Sequence, residues 1–302
     1  MGASGTQWQL VHGGHRATVV EVGGGLREYA SDGVPVVDGY AEDEVCPGSA
    51  GQVLAPWPNR IRDGKYGFGD GTYQLALSEP TRHNAIHGLV RWLRWSAVDQ
   101  AADSVTLECA LPATPGYPWP LHLRTLWSVG AGGLTARHEA TNVGGSPAPF
   151  GLGVHPYIRP PGPVDDALLC VPAKSRLLLD ARMLPIGAAK VADSDYDFTV
   201  PRPIGQAELD MAFGDVERDE AARSSVTLSG ADGTGTVTVW ADGAFRWWQV
   251  FTGDTLPAAR LRRAVAVEPM TCPPDAFRSR RDVVTLEPGD TWHGTWGIRP
   301  TA

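Results

Sequence analysis

Two histidines four residues apart, His83 and His87 in "TRHNAIHGLVRW" (81–92), have the spacing of the zinc-binding H-E-x-x-H motif. That motif works on a helix, with both imidazoles on one face and the glutamate as general base. Here Asn84 stands in the glutamate position, Pro80 precedes the segment and Gly88 follows it, so no metal is expected. Other polar side chains sit in strings that constrain them. "APWPNRIRDG" (55–64) presents an amide and a guanidinium, Asn59 and Arg60, directly after two prolines. "PFGLGVHPYI" (149–158) places His155 in an apolar, glycine-spaced run just before Pro156. A residue before proline is held extended, so this imidazole is aimed rather than free. "RRAVAVEPM" (262–270) ends an alternating strand with Glu268, again before a proline. Each of these residues also admits a plain structural role, as a satisfied loop or core histidine or a solvated acid at a strand exit.

The elements that must position them read as strands. The chain of 302 residues holds 36 Gly and 25 Pro, which punctuate it at short intervals. Between them lie β-branched or aromatic runs such as "SVTLECAL" (104–111), "LHLRTLWSV" (121–129), "FRWWQVFTG" (245–253) and "AVAVEP" (264–269). Many alternate apolar and polar residues, as half-buried antiparallel strands do. "KYGFGDGTYQL" (65–75) predicts a hairpin turning at Asp70-Gly71. Convincing helices are scarce, and the best candidate is a short turn around "ELDMAF" (208–213). The expectation is an all-β, large antiparallel sandwich with few short helices, as a single domain over residues 1–302. "PATPGYPWP" (112–120) and "RPPGPVDD" (159–166) read as long ordered loops, the usual place for a site.

In order along the chain, the motifs resemble those of the aldose 1-epimerase (galactose mutarotase) family. Asn59-Arg60 is similar to the family's Asn-Arg pair, and "DGKYGFGDGTYQL" to the hairpin that follows it. "NAIHG" resembles the N-x-x-HG signature, which assigns the role to His87 and leaves His83 a bystander. "HPYI" (155–158), "DMAF" (210–213), "QVFTG" (249–253) and "EPMTCPPDAF" (268–277) resemble four further signatures. The resemblance implies the galactose mutarotase-like supersandwich and an isomerase that interconverts sugar anomers without a cofactor. It implies Glu268 as base, His155 as acid, and His87 with Arg60 polarising the departing oxygen. Asn59, Tyr157, Asp210 and Gln249 would bind the sugar, and one of the eleven tryptophans could stack on it.

The pattern also departs from the best-known mutarotases. "PWPNR" replaces "GRYANR", "HPYI" ends in isoleucine, and "HGLVRW" is similar to the "HGFAR" of hexose-6-phosphate epimerases. That likeness implies a phosphorylated sugar with Arg91 near the phosphate, since arginine suits bidentate contacts to one. A non-catalytic carbohydrate-binding sandwich or a sugar sensor would use the same aromatic and acidic residues without needing a paired His155 and Glu268.

Composition narrows the partners. A net charge of -8 argues against nucleic acid, and no apolar run approaches a membrane span. Four widely separated cysteines with no C-x-x-C suggest reduced thiols in a cytoplasm. A small-molecule sugar is the expected partner, and a monomer or weak homodimer the expected assembly.

Overall fold

The computed structural model describes residues 2–301. Three antiparallel sheets dominate: four strands at the N-terminus, then nine-stranded and eight-stranded sheets assembled from strands distant in sequence. Among the described residues the longest helix is the four-residue Ala276–Ser279. None is long and apolar enough to cross a membrane.

Side-chain period explains the two large sheets. In Leu121–Gly130, Leu121, Leu123, Thr125, Trp127 and Val129 are buried and the residues between them are not. That strand has one covered face, as its alternating sequence requires. Val265–Met270 is buried at every position. Val265 and Val267 join the main core with Phe213, Trp248 and Val250, opposite Leu107, Trp127, Val226 and Ile298 of the other sheet. Each large side chain placed there contributes about 1.5–3 kcal/mol. Trp248 Nε1 ties the sheets together by donating to Ser224 Oγ at 3.0 Å.

The opposite face of the eight-stranded sheet is covered in two patches. One contains Leu177, Ala212, Trp247 and Met270, the other Tyr157, Phe251 and Ala266. The same alternation puts Asp210, Gln249 and Glu268 on this face, between the patches.

Three expectations need correction. The "ELDMAF" segment is not a helical turn but enters a strand, Asp210–Val216. Met211 and Phe213 go to the core and Asp210 and Ala212 to the other face, a period of two that the short apolar run concealed. The hairpin forms from Lys65–Phe68 and Gly71–Gln74, but its positive φ falls on Gly69, one residue before the predicted pair. A tight turn with glycine at its first central position has that geometry. Glu268 does not leave its strand. It lies inside Val265–Met270, and Pro269 still pairs in register with Trp248.

Candidate active site

Strand register sets the site. Gln249 pairs directly with Glu268 on neighbouring strands, and Asp210 pairs with Phe251 one strand further out. On the other side of Glu268, the chain pairs at Gly153 with Met270 and at Tyr157 with Ala266. Continuing that register puts His155 opposite Glu268, in the two-residue interruption between the short strands Gly153–Val154 and Tyr157–Ile158. Residues over a hundred positions apart thus form one row across the sheet.

The imidazole and the carboxyl meet in that row. His155 Nε2 lies 3.3 Å from Glu268 Oε1, and the two residues are only 6% and 2% exposed. The His155 ring stacks on Tyr157 and meets His87 edge-on, with centroids 4.9 and 5.4 Å away. Tyr157 donates its hydroxyl to Gly48 O at 3.1 Å, which fixes the ring on which His155 stacks. Gln249 Nε2 donates to Asp210 Oδ1 at 2.6 Å. Four buried polar atoms here have no hydrogen-bond partner: Nδ1 of His87, Nδ1 of His155, Oε1 of Gln249 and Oε2 of Glu268. Buried polar groups are normally satisfied, so four orphans on residues lining one cavity mark a place built to receive polar atoms. The cavity measures about 240 Å³, near the lower end of ligand pockets and suited to a single sugar ring. A larger hollow of about 600 Å³ beside the N-terminal sheet has no such atoms; its Asp38 is paired with Arg260 and Arg263.

The opposite wall comes from the segments around residues 59 and 87, which pair through Arg60 and Ile86. Asn59 and His87 both adopt positive φ, 53° and 61°, joined by the His87 amide donating to Asn59 O. Non-glycine residues in this region are uncommon and concentrate at functional sites. Gly88 follows because a Cβ there would lie 2.1 Å from Ala55 O, at a φ of +69°. Asn59 Oδ1 accepts from the Arg60 amide, which leaves its NH2 to the cavity. Arg60 is clamped by Glu79, with Nε within 3.2 Å of both carboxylate oxygens and Nη2 at 3.1 Å from one. Asn84, in the motif position where zinc enzymes carry glutamate, donates to Glu79 at 2.9 Å and so fixes the clamp. His83 is turned away: its side chain is 63% exposed and contacts Asp63 at 2.9 Å. Among the described residues no three metal-ligating side chains converge.

Burial governs the electrostatics. It pushes the Glu268 carboxyl well above the usual range, the Asp210 charge adds to that, and Arg60 opposes without prevailing. Burial also lowers His87, and lowers His155 to about 3, with the charges of Arg91 and Arg60 adding to it. Both shifts disfavour the charged forms, so the contact between His155 and Glu268 is biased toward a neutral imidazole facing a carboxylic acid, with one exchangeable proton between them, rather than a fixed ion pair. Asp210 is raised by burial, against the pull of Arg60 and Gln249. Burial would raise Glu79 too, but its bonds to Arg60, Asn84 and Arg82 outweigh that and keep it ionised.

All eight residues singled out from sequence, Asn59, Arg60, His87, His155, Tyr157, Asp210, Gln249 and Glu268, line this cavity, and so does Arg91. Ser49, Glu79, Arg82, Thr255 and Leu256 also line it and were missed. Only Glu79 left a trace in sequence, as an acid before Pro80. Among the described residues no tryptophan lines the cavity; besides its two histidines, Tyr157 and Phe251 are its aromatic residues. The two long loops stay outside it. Tyr117 and Trp119 of the first are buried as structural anchors, with Tyr117 donating to Pro149 O at 2.7 Å.

The sequence profile described as Aldose 1-epimerase matches residues 6–299. The chain belongs to the aldose 1-epimerase family. Family membership makes it an isomerase acting on carbohydrates. YihR of Escherichia coli K12, described as uncharacterized, is 34% identical over 291 residues, covering 96% of this chain and 91% of YihR. The fold is that of the GalM/aldose epimerase homologue from C. elegans: TM-score 0.86, 17% identity, covering 98% of this chain and 99% of that one. Galactose 1-epimerase from Lactobacillus acidophilus gives TM-score 0.82 at 19% identity, covering 98% and 95%.

Proposed function

We propose that this aldose 1-epimerase interconverts the α and β anomers of a free aldohexose, with Glu268 and His155 as the proton-transfer pair. The reading rests on one observation: the 3.3 Å contact between His155 and Glu268, each with its remaining polar atom buried and unpartnered, on two residues that line the same cavity. Anomerisation opens a cyclic hemiacetal. Glu268 takes the proton of the C1 hydroxyl while His155 gives one to the ring oxygen, the C1–O5 bond breaks, and the aldehyde turns about C1–C2. Closure reverses the transfers.

The pair carries the single proton this requires. Moving it from Glu268 to His155 across their contact produces carboxylate and imidazolium without changing the proton count. A sugar hydroxyl donating to Glu268 favours that ionised form, since hydrogen bonds to a charged group stabilise it. His87 and Arg60 stabilise charge on the oxygen, and Asp210, Gln249 and Asn59 hold the other hydroxyls. An acid and a base contribute about 10²–10⁴ each, together about 5–11 kcal/mol. The reaction needs no cofactor, because nothing is oxidised or transferred to another molecule. A reducing cytoplasm suits the four free cysteines.

The test is polarimetry of freshly dissolved α-D-glucose and α-D-galactose. The protein is expected to speed the approach to equilibrium rotation; no acceleration with either sugar overturns the reading. A second reading, a hexose 6-phosphate, is favoured by Arg91, which lines the cavity with no carboxylate partner among the described residues. Its Nη1 donates only to Ser49 Oγ at 3.2 Å, and burial lowers its pKa. If phosphate is held there, Arg91→Gln raises KM for glucose 6-phosphate far more than for glucose.

A further inference from the structure

Arg182 stands outside the cavity lining, yet three of its hydrogen bonds go to the segment that clamps Arg60. It lies in the tight loop between the strands Ala173–Leu179 and Pro185–Lys190. Asp180 Oδ1 holds that loop by accepting from the amides of Arg182 and Leu184 at 2.8 and 3.0 Å. From there the Arg182 side chain reaches residues roughly a hundred positions earlier. Its Nε donates to Arg82 O at 2.9 Å. Its Nη2 donates to His83 O at 2.7 Å, Asp63 Oδ1 at 2.8 Å and Asn84 Oδ1 at 3.2 Å. His83 sits at a φ of 55°, so these bonds hold a bend that residues other than glycine rarely adopt.

Asn84 is fully buried, and the shape of its side-chain amide would let either end face Glu79. A guanidinium only donates, so Arg182 takes the oxygen end and turns the NH2 group toward Glu79. Asn84 Nδ2 then donates to Glu79 Oε2 at 2.9 Å and to the Arg182 carbonyl at 3.1 Å. Glu79, kept ionised, in turn grips Arg60. An unbroken line of hydrogen bonds thus runs from Arg182 through Asn84 and Glu79 to a guanidinium in the cavity wall. Asn84 also begins the strand Asn84–Ile86, which pairs with Arg60–Arg62 and leads directly into His87. We propose that Arg182 is a positioning residue for the epimerase: by fixing the Asn84 amide and the bend at His83, it sets the place of Arg60 at the sugar oxygen. The proposal rests on the reading in which Arg60 stabilises charge on that oxygen. Arg60 then matters most in the transition state, so loosening it lowers kcat more than it raises KM.

A double-mutant cycle read by polarimetry with glucose tests this. Arg182→Ala is expected to lower kcat/KM about tenfold, chiefly in kcat, because it leaves the buried Asn84 oxygen unpaired and the amide free to turn. In a Glu79→Gln background the same change should cost less than about twofold, since the clamp it supports is already broken. Arg182→Lys is the gentler variant should the first fail to fold. It keeps a charge beside Asp63 but loses the fork that reaches Arg82, His83 and Asn84 together, and its smaller loss should vanish in the same background. The positioning role is overturned if Arg182→Ala leaves kcat unchanged, whatever it does to the melting temperature, or if its loss is equal with and without Glu79. Glu268→Gln separates this outcome from the reading beneath it. If that variant keeps its rate while Arg182 and Glu79 remain coupled, the acid/base assignment falls and the positioning role stands. If it loses its rate while the Arg182 and Glu79 losses simply add, the positioning role falls alone.

Discussion

His138 and His155 are both buried and both are pushed to about 3, with burial the leading cause in each case. Their surroundings differ in one respect. Around His138 everything is satisfied: Trp296 Nε1 donates to Nε2 at 2.9 Å, and Nδ1 lies 2.8 Å from Thr125 Oγ1. An indole N–H can only donate, so the His138 proton sits on Nδ1 and the ring is a fixed strut between strands. His155 has one nitrogen on a carboxyl it can exchange a proton with, and the other unpartnered. A depressed pKa marks burial in both; unspent hydrogen-bonding capacity separates the reactive histidine from the structural one.

That contrast can be broken by exchanging the losses. His155→Asn and Glu268→Gln should each lower kcat by about 10²–10⁴, read by polarimetry. Neither should lower the melting temperature, and Glu268→Gln should raise it at pH 8. The sign follows from the raised carboxyl: above the ordinary value of 4.5 the cost to stability grows with pH, reaches its maximum once pH passes the higher folded value and stays there, and a neutral amide escapes that cost. A Glu268→Gln variant that keeps its rate would remove the proposed chemistry.

His138→Leu should do the reverse. It leaves the Trp296 N–H buried and unpaired, with an expected loss of about 1–3 kcal/mol in denaturant unfolding and kcat nearly unchanged. A large loss of kcat in a folded His138→Leu protein would erase the distinction between the two histidines.

Smaller effects sharpen the picture of the wall opposite. Glu79→Gln weakens the clamp on Arg60, and kcat/KM should fall about tenfold, partly through KM. Retained kcat/KM would mean that Arg60 holds its place unaided. Asp210→Asn removes a charge that raises Glu268, so the pH at which the pair loses its shared proton should move down. The alkaline limb of the kcat/KM profile should shift toward lower pH; a shift upward would contradict the assignment of that limb to Glu268.

Strand-forming runs such as 104–111 and 264–269 were legible because alternation and β-branching act locally. His155 and Glu268 stood out because each is a polar residue in an apolar run, locked by a following proline. That Glu79 and Asn84 clamp Arg60 gave no comparable signal, because a hairpin intervenes before the chain returns to close the clamp. The "DMAF" strand was misread for a related reason. The six residues of "ELDMAF" do not reveal whether their period is two or near four, and only pairing with Trp247–Phe251 decides it.

The sequence by itself determined that the chain is built of strands, and it nominated the side chains able to move protons. These are properties of backbone preference and side-chain type, carried by near neighbours. Which histidine remains unsatisfied, which arginine is clamped, and what backs the clamp were decided by the tertiary structure alone. Hydrogen-bond satisfaction and desolvation depend on what arrives from elsewhere in the chain, and here the deciding partners come from strands separated by about a hundred residues and joined by a single register.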